Sequence, residues 1–158
     1  MNQRRLLVLL LCAAALLSCE KAPTADEFNG SAVMPFNTLY IYGGENGDVF
    51  LGKLNASKYD SESIWNEYGT YGNKRRSTSI WNANGDYGNE YRSCCPFNEY
   101  ATYPPGLYDE SGSFFGYFTV NKAKFNRASY ELTDIICENY KEIRDDVSGW
   151  YDKIFLNH

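Results

Sequence analysis

Residues 63–73 read SIWNEYGTYGN and residues 79–89 read SIWNANGDYGN, so one pattern returns after 16 residues. A decayed third copy, PFNEYATY, covers residues 96–103. Trp65, Trp81 and Phe97 are therefore equivalent positions. Each of the first two copies holds two glycines, and a glycine inside a helix costs about 1 kcal/mol. Over residues 61–103 we predict turns and short extended pieces, each placing one large ring in a shared core.

The segments around the repeats predict both strands and a helix. Residues 38–42 and 48–54 are rich in β-branched and aromatic residues and flank a Gly-rich turn, which predicts a β-hairpin. Residues 113–120 read as another strand, with a bulge or close approach at Gly116. From about residue 129 to 147 the apolar residues recur at helical spacing, namely Leu132, Ile135, Ile136, Tyr140, Ile143 and Val147. We predict an α+β fold, a β-rich single domain over residues 36–158 with one C-terminal amphipathic helix.

The N-terminal segment predicts export and lipidation. Arg4 and Arg5 precede an apolar run over residues 6–17, which is too short to span a bilayer as a helix and has the length of a secretory signal. The following Leu-Ser-Cys resembles the cleavage box of bacterial lipoproteins. That resemblance implies removal of residues 1–18 and a diacylglycerol, with acyl chains such as palmitate, on Cys19. An ordinary signal peptide cut nearby is the alternative. Residues 19–35 read as a flexible tether.

The predicted address is the bacterial cell envelope, with the membrane as a partner through the lipid anchor. Glu20 rather than Asp follows the cysteine, which favours the outer membrane if the host is Gram-negative. The chain carries 15 basic and 20 acidic residues, and removing residues 1–18 takes two arginines away. This acidic balance excludes a typical nucleic-acid binder. The single histidine, His158, excludes catalytic sites that need paired histidines.

The repeats, with FLGKL at residues 50–54 and FGYFTVNK at residues 115–122, resemble a largely uncharacterised family of small secreted or lipid-anchored bacterial proteins. The resemblance covers roughly residues 39–127 and implies no activity or functional residue. This chain departs from the pattern at three places: Asn84 replaces a tyrosine, Arg75 replaces another, and Cys94-Cys95 stand where Thr78-Ser79 stand one copy earlier.

The aromatic residues allow two interpretations. Trp, Tyr and Phe number 3, 14 and 9, and in the repeats they outnumber the aliphatic residues, so the rings are needed to build a core. Alternatively, rings and neighbouring amides form a sugar-binding platform. The candidates for possible ligand binding are then Trp65, Asn66, Tyr68, Tyr71, Trp81, Asn82 and Tyr87. The repeated asparagines are equally explained as turn formers.

Three cysteines remain after Cys12 and Cys19 are set aside, namely Cys94, Cys95 and Cys137. In an oxidising compartment a possible disulfide joins Cys137 to Cys94 or Cys95, and it would stabilise the fold by about 4 kcal/mol. The alternative is that Cys137 is a small buried side chain. No metal site or cofactor is predicted, because three thiols lack a partner histidine and no carboxylate set recurs in every repeat.

We therefore expect an envelope lipoprotein that is a non-enzymatic binding or structural module, with a glycan or another envelope protein as its partner. The alternative is a small glycan-acting hydrolase that uses paired carboxylates, for which Glu67 with Asp86 or Glu99 is an unsupported choice. A deep cleft with two carboxylates would favour the hydrolase, whereas buried tryptophans and no cleft would remove both the sugar platform and the hydrolase and leave an interaction or scaffold role.

Overall fold

The computed structural model describes residues 37–156, which form an antiparallel sheet, an array of turns and two helices. The strands are β1 (Tyr40–Gly43), β2 (Val49–Lys53), β3 (Gly106–Tyr108) and β4 (Phe114–Tyr117), in the order β2-β1-β3-β4. The predicted hairpin is confirmed as β1 and β2. β3 was not predicted, and it pairs with β1 on one side and β4 on the other. The α+β class is confirmed.

Gly116 allows β4 to lie against the following segment. Its φ is +136°, which an L side chain rarely adopts, and an added Cβ would approach the Cα of Ala128 to 2.7 Å. The pairing of β3 with β4 is irregular between Leu107 and Tyr108, next to this glycine. The predicted bulge or close approach at Gly116 is thus confirmed, but the strand ends at Tyr117 rather than at residue 120.

The C-terminal region forms two helices where one was predicted. α1 (Glu131–Asp145) agrees with the predicted helix to within two residues at each end, and Leu132, Ile136 and Ile143 are buried on one face. The backbone leaves helical geometry at Asp146, whose φ and ψ are −142° and 74°. A second helix, α2 (Val147–Phe155), then begins, because the Asp146 carboxylate accepts the N–H of Gly149 at 2.9 Å and caps it.

The repeats form a ladder of successive backbone turns. Between residues 57 and 101 backbone hydrogen bonds follow one another along the chain, and in most of them the N–H donates to the carbonyl three residues earlier. Two of these bonds span four residues, at 69–73 and 85–89. Four steps of three and one of four return the chain to an equivalent position after 16 residues. This hydrogen-bond spacing explains the sequence period, which is shorter than the periods of common solenoid repeats.

Each copy holds its turns with an asparagine side chain, and the first two copies add a serine. The amides of Asn66, Asn82 and Asn98 accept the backbone N–H two residues ahead at 2.9–3.1 Å and donate to the carbonyl six residues behind at 2.9–3.1 Å. The buried hydroxyls of Ser63 and Ser79 accept the N–H of the following tryptophan at 3.1 and 3.2 Å. These side chains satisfy backbone groups that the short turns leave without a partner.

The equivalent rings contact one another in a continuous column through the core. The centroids of Trp65 and Trp81 are 6.0 Å apart, those of Trp81 and Phe97 are 5.9 Å apart, and Phe118 follows at 6.1 Å. The ring of Tyr140 on α1 stacks on Phe97 at 4.4 Å. The predicted shared core of one ring per repeat is confirmed, since all three repeat rings are buried.

Candidate functional site

The solvent side of the sheet carries mainly aromatic rings. In β1 the aliphatic Ile41 is fully buried, whereas Tyr40 and Tyr42 are partly exposed on the opposite side. The register places Tyr40 opposite Tyr108 of β3 and Tyr42 opposite Phe50 of β2. We call this surface the tyrosine face and define it by Tyr40, Tyr42, Phe50, Tyr108 and Phe114.

The rings of the tyrosine face pack against one another. Tyr42 meets Tyr108 edge to face at 5.8 Å and lies 5.3 Å from Phe50, and Tyr108 lies 5.4 Å from Phe114. Gly106 provides the space below them, because an added Cβ would approach ring atoms of Tyr108 and Phe114 to 2.8 and 3.1 Å. Contacts of this kind fix ring orientation, so the face is a pre-formed surface.

Two grooves flank the edge-to-face pair of Tyr42 and Tyr108, and both rings line both grooves. The first groove has a volume of about 560 Å³, and its wall also includes Tyr40, Asp109 and Glu110. The second has a volume of about 210 Å³ and lies beside the β1–β2 turn; its wall also includes Glu45, Tyr103 and Tyr117. The first groove combines rings with carboxylates at its edge, which is a usual composition of a small-molecule site, whereas the wall of the second is mostly polar.

Asp109 supplies a fixed negative charge to the first groove. Its Oδ1 accepts the N–H of Ser111 at 2.8 Å, the hydroxyl of Ser111 at 2.6 Å and the N–H of Ser113 at 3.0 Å. These hydrogen bonds, the Ser111 hydroxyl first, hold the pKa of the Asp109 carboxyl below its usual value. Asp109 is therefore an acceptor at neutral pH. Glu110 beside it is exposed.

The two predicted tryptophans are not at the surface. Trp65 and Trp81 are fully buried, and their Nε1–H groups donate to the carbonyls of Leu54 and Ile64 at 2.7 and 2.6 Å. Their faces are covered by the ring column, so the structure contradicts the prediction that they stack on a ligand. The physical reason is that the repeat that makes these rings conspicuous in the sequence also places them in the core.

The other five predicted ligand residues do not come together. The amides of Asn66 and Asn82 are engaged in the turn ladder. Tyr68 is 93% exposed and isolated from the grooves, Tyr71 meets Phe50 at 4.9 Å at the margin of the tyrosine face, and Tyr87 lines a separate cavity with Asp86 and Cys94. None of the seven predicted residues lines either groove of the tyrosine face.

The predicted disulfide is absent, because Cys94, Cys95 and Cys137 are all free thiols. Cys95 takes the place of the repeat serine, and its Sγ accepts the N–H of Phe97 at 3.4 Å. Burial raises the pKa of the Cys95 and Cys137 thiols to about 12. The alternative that Cys137 is a small buried side chain on the helix agrees with the structure.

The carboxylates considered for glycan hydrolysis lie apart. Glu67 lines a cavity with Lys74, Arg75 and Arg144, whereas Asp86 lines a different one and its Oδ1 lies 3.6 Å from Arg92 Nε. Glu99 lies on the surface. The first groove does hold two carboxylates, Asp109 and Glu110, but Glu110 is exposed and the lowered pKa of Asp109 is opposite to what a general acid needs.

Sequence reasoning missed the tyrosine face although its signal is present. The Tyr-Ile-Tyr alternation at residues 40–42 predicts a strand with one aliphatic side and one tyrosine side. The partners Tyr108 and Phe114 flank a Gly-containing turn far along the chain. Only the pairing of β3 with β1 and β4 brings these rings onto one surface.

Among residues 37–156, no cluster of His, Cys, Asp and Glu has the arrangement of a metal site, and no helix has both the length and the apolar character needed to cross a bilayer. The predicted signal (1–18), Cys19 and tether (19–35) lie outside the described residues. No family model matches the chain, and searches of curated proteins and of solved structures found no similar protein.

Proposed function

We propose that the protein is a non-enzymatic glycan-binding module and that the tyrosine face is its binding surface. The observation that carries this proposal is the pair of grooves on either side of Tyr42 and Tyr108. A flat aromatic ring matches the C–H face of a pyranose, and carboxylates at the groove edge accept hydrogen bonds from sugar hydroxyls. Asp109 and Glu110 are such acceptors in the first groove.

Tyrosine suits this role better than phenylalanine or leucine. Its ring contributes apolar contact area and its hydroxyl stays hydrated in the free protein, so a partly exposed tyrosine is tolerated at a surface. The ring contacts of the tyrosine face hold Tyr42 and Tyr108 in place before a ligand arrives. A pre-formed surface loses little conformational entropy when it binds.

We further propose that this module acts at the bacterial cell envelope, anchored by lipid on Cys19. The support is the order of basic residues, apolar run and Leu-Ser-Cys at the N-terminus. Mass spectrometry of the protein isolated from its host tests this address. We expect a mature N-terminus at Cys19 carrying acyl chains. An intact leader or an unmodified thiol at that position would contradict it.

The binding proposal is tested by co-sedimentation with peptidoglycan and by glycan-array binding of the purified protein, comparing wild type with Tyr42→Ala. We expect wild-type binding and about a tenfold loss of affinity in the variant, equivalent to about 1.4 kcal/mol. Circular dichroism and thermal unfolding show whether the variant stays folded.

Tyr68→Ala is the matched control, because Tyr68 is highly exposed and lines neither groove. We expect this variant to bind as wild type does. Absence of glycan binding in the wild type, or equal binding by Tyr42→Ala, contradicts the proposal.

A further inference from the structure

The two grooves share their central wall. Tyr42 and Tyr108 line both, and their centroids are 5.8 Å apart in an edge-to-face arrangement. A ligand in either groove would therefore contact the same ring pair. Gly47, at the end of the β1–β2 turn, also lines both grooves, and Glu45 and Asn46 of the same turn line the second.

The grooves differ in size but agree in charge. The described residues that line them include three carboxylates, Asp109 and Glu110 in the first groove and Glu45 in the second, and no lysine or arginine. Two lysines reach rings at the margin. Lys53 lies 6.0 Å from the Tyr40 centroid but is engaged by two acidic residues, and Lys124 lies 5.1 Å from the Tyr117 centroid.

A surface with this charge discriminates among glycans. It repels sugars that carry carboxylate or sulfate groups, it accepts hydroxyls and amides, and it attracts the ammonium of an amino sugar. An ammonium group can also lie on a tyrosine ring, which adds a cation–π attraction. The charge therefore favours amino sugars over neutral sugars, and neutral sugars over acidic ones.

We propose that the two grooves are neighbouring subsites for one oligosaccharide that crosses the Tyr42–Tyr108 pair and contains free amino sugars. This inference rests on the proposed glycan-binding function and names its ligand class. Each groove holds part of the same chain, and the carboxylates at both ends select positively charged residues. The affinity then depends on both chain length and charge.

The test is calorimetric titration of the purified protein with three matched series: N-acetylglucosamine oligomers, their deacetylated glucosamine counterparts and galacturonic acid oligomers, each as monomer, dimer and tetramer. We expect at least a tenfold gain in affinity from monomer to tetramer. Among tetramers we expect glucosamine to bind most tightly and galacturonic acid most weakly, with the glucosamine preference decreasing as salt is added.

Charge-neutral variants assign the effect to the grooves. Glu110→Gln and Glu45→Gln each remove one exposed carboxylate, from the first and second groove respectively. Each is expected to weaken glucosamine tetramer binding about two- to fivefold, since exposed ion pairs contribute modestly. Binding of the neutral tetramer is expected to weaken less than binding of the glucosamine tetramer, because Gln keeps an oxygen that accepts hydrogen bonds from sugar hydroxyls. Glu99→Gln is the control, because Glu99 is exposed and lies in neither groove.

The outcomes separate the two proposals. If no series binds at any length, the glycan-binding function itself is wrong. If the neutral oligomers bind but tetramer and monomer have equal affinity, the two-subsite arrangement is wrong. If length matters but galacturonic acid tetramers bind as well as glucosamine tetramers, or the Gln variants behave as Glu99→Gln does, the charge selection is wrong.

Discussion

The replacement Trp81→Phe tests whether the indole N–H, and not only the ring, holds the repeats together. Trp81 is fully buried, and its Nε1–H donates to the carbonyl of Ile64 at 2.6 Å. Removing the donor leaves that carbonyl without this bond, which costs about 1–3 kcal/mol when the acceptor is buried. Phenylalanine is smaller by roughly 40 Å³, and at about 24 cal/mol per Å³ of cavity this adds about 1 kcal/mol. We expect a total loss of about 2–4 kcal/mol.

The assay is urea unfolding of the purified protein, followed by the fluorescence of the remaining tryptophans and by circular dichroism. Trp150→Phe is the matched control, because Trp150 is only partly buried and packs at the margin of the core, where Lys153 lies 3.9 Å from its ring centroid. It makes the same chemical change, and we expect it to cost less than about 1 kcal/mol. Equal losses in the two variants, or no loss in Trp81→Phe, would refute the reasoning.

Three further outcomes follow from the described contacts. Ser79→Ala is expected to lower the free energy of unfolding by about 1–3 kcal/mol, because the backbone N–H of Trp81 loses its acceptor. Ser79→Cys is expected to cost less, since Cys95 fills the equivalent place one copy later and its sulfur accepts the same kind of bond. Chemical denaturation compares the two variants. Gly72→Ala places a Cβ 2.2 Å from a backbone oxygen and is expected to prevent stable folding, whereas Gly85→Ala, with its nearest atom a side-chain nitrogen at 3.1 Å, is expected to remain folded by circular dichroism. In the native protein at pH 8, iodoacetamide is expected to modify Cys94 before Cys137, because Cys94 is more exposed. Burial raises the pKa of both thiols, and that of Cys137 to about 12; equal rates by peptide mass spectrometry would contradict this.

Local patterns were predictable and pairings between distant segments were not. The body of α1 follows from the spacing of its apolar residues, which is a property of a few consecutive turns. β3 is three residues long and follows two prolines, and it is a strand only because β1 and β4 supply its hydrogen bonds. The second helix depends on the Asp146 cap, which an Asp followed by Val-Ser-Gly only weakly predicts.

The candidate site was misassigned for a related reason. The sequence makes Trp65 and Trp81 prominent because they recur, and recurrence in a stacked array means that each ring contacts the next. Rings that contact one another in this way are buried and form the core. The tyrosine face has no repeat, and its rings come from all four strands, so the Tyr-Ile-Tyr alternation in β1 indicates only a small part of it. Cys95, one of the two predicted partners of Cys137, takes the place of a buried serine in the ladder, and its sulfur accepts a backbone N–H.

Buried repeat positions are similar among the copies, whereas exposed repeat positions differ. Inside the ladder the equivalents are similar in size or bonding, as in Trp65, Trp81 and Phe97, because each must contact the next ring. At exposed positions the equivalent residues change chemical class, because they have no core contact to preserve. The exposed series are Tyr59, Arg75 and Tyr91, and Tyr68, Asn84 and Tyr100. The ladder therefore tolerates surface substitutions. The tyrosine face lies on the solvent side of the sheet, away from the ring column. Loss of glycan binding by a still-folded Tyr42→Ala protein therefore reports on binding and not on the stability of the repeats.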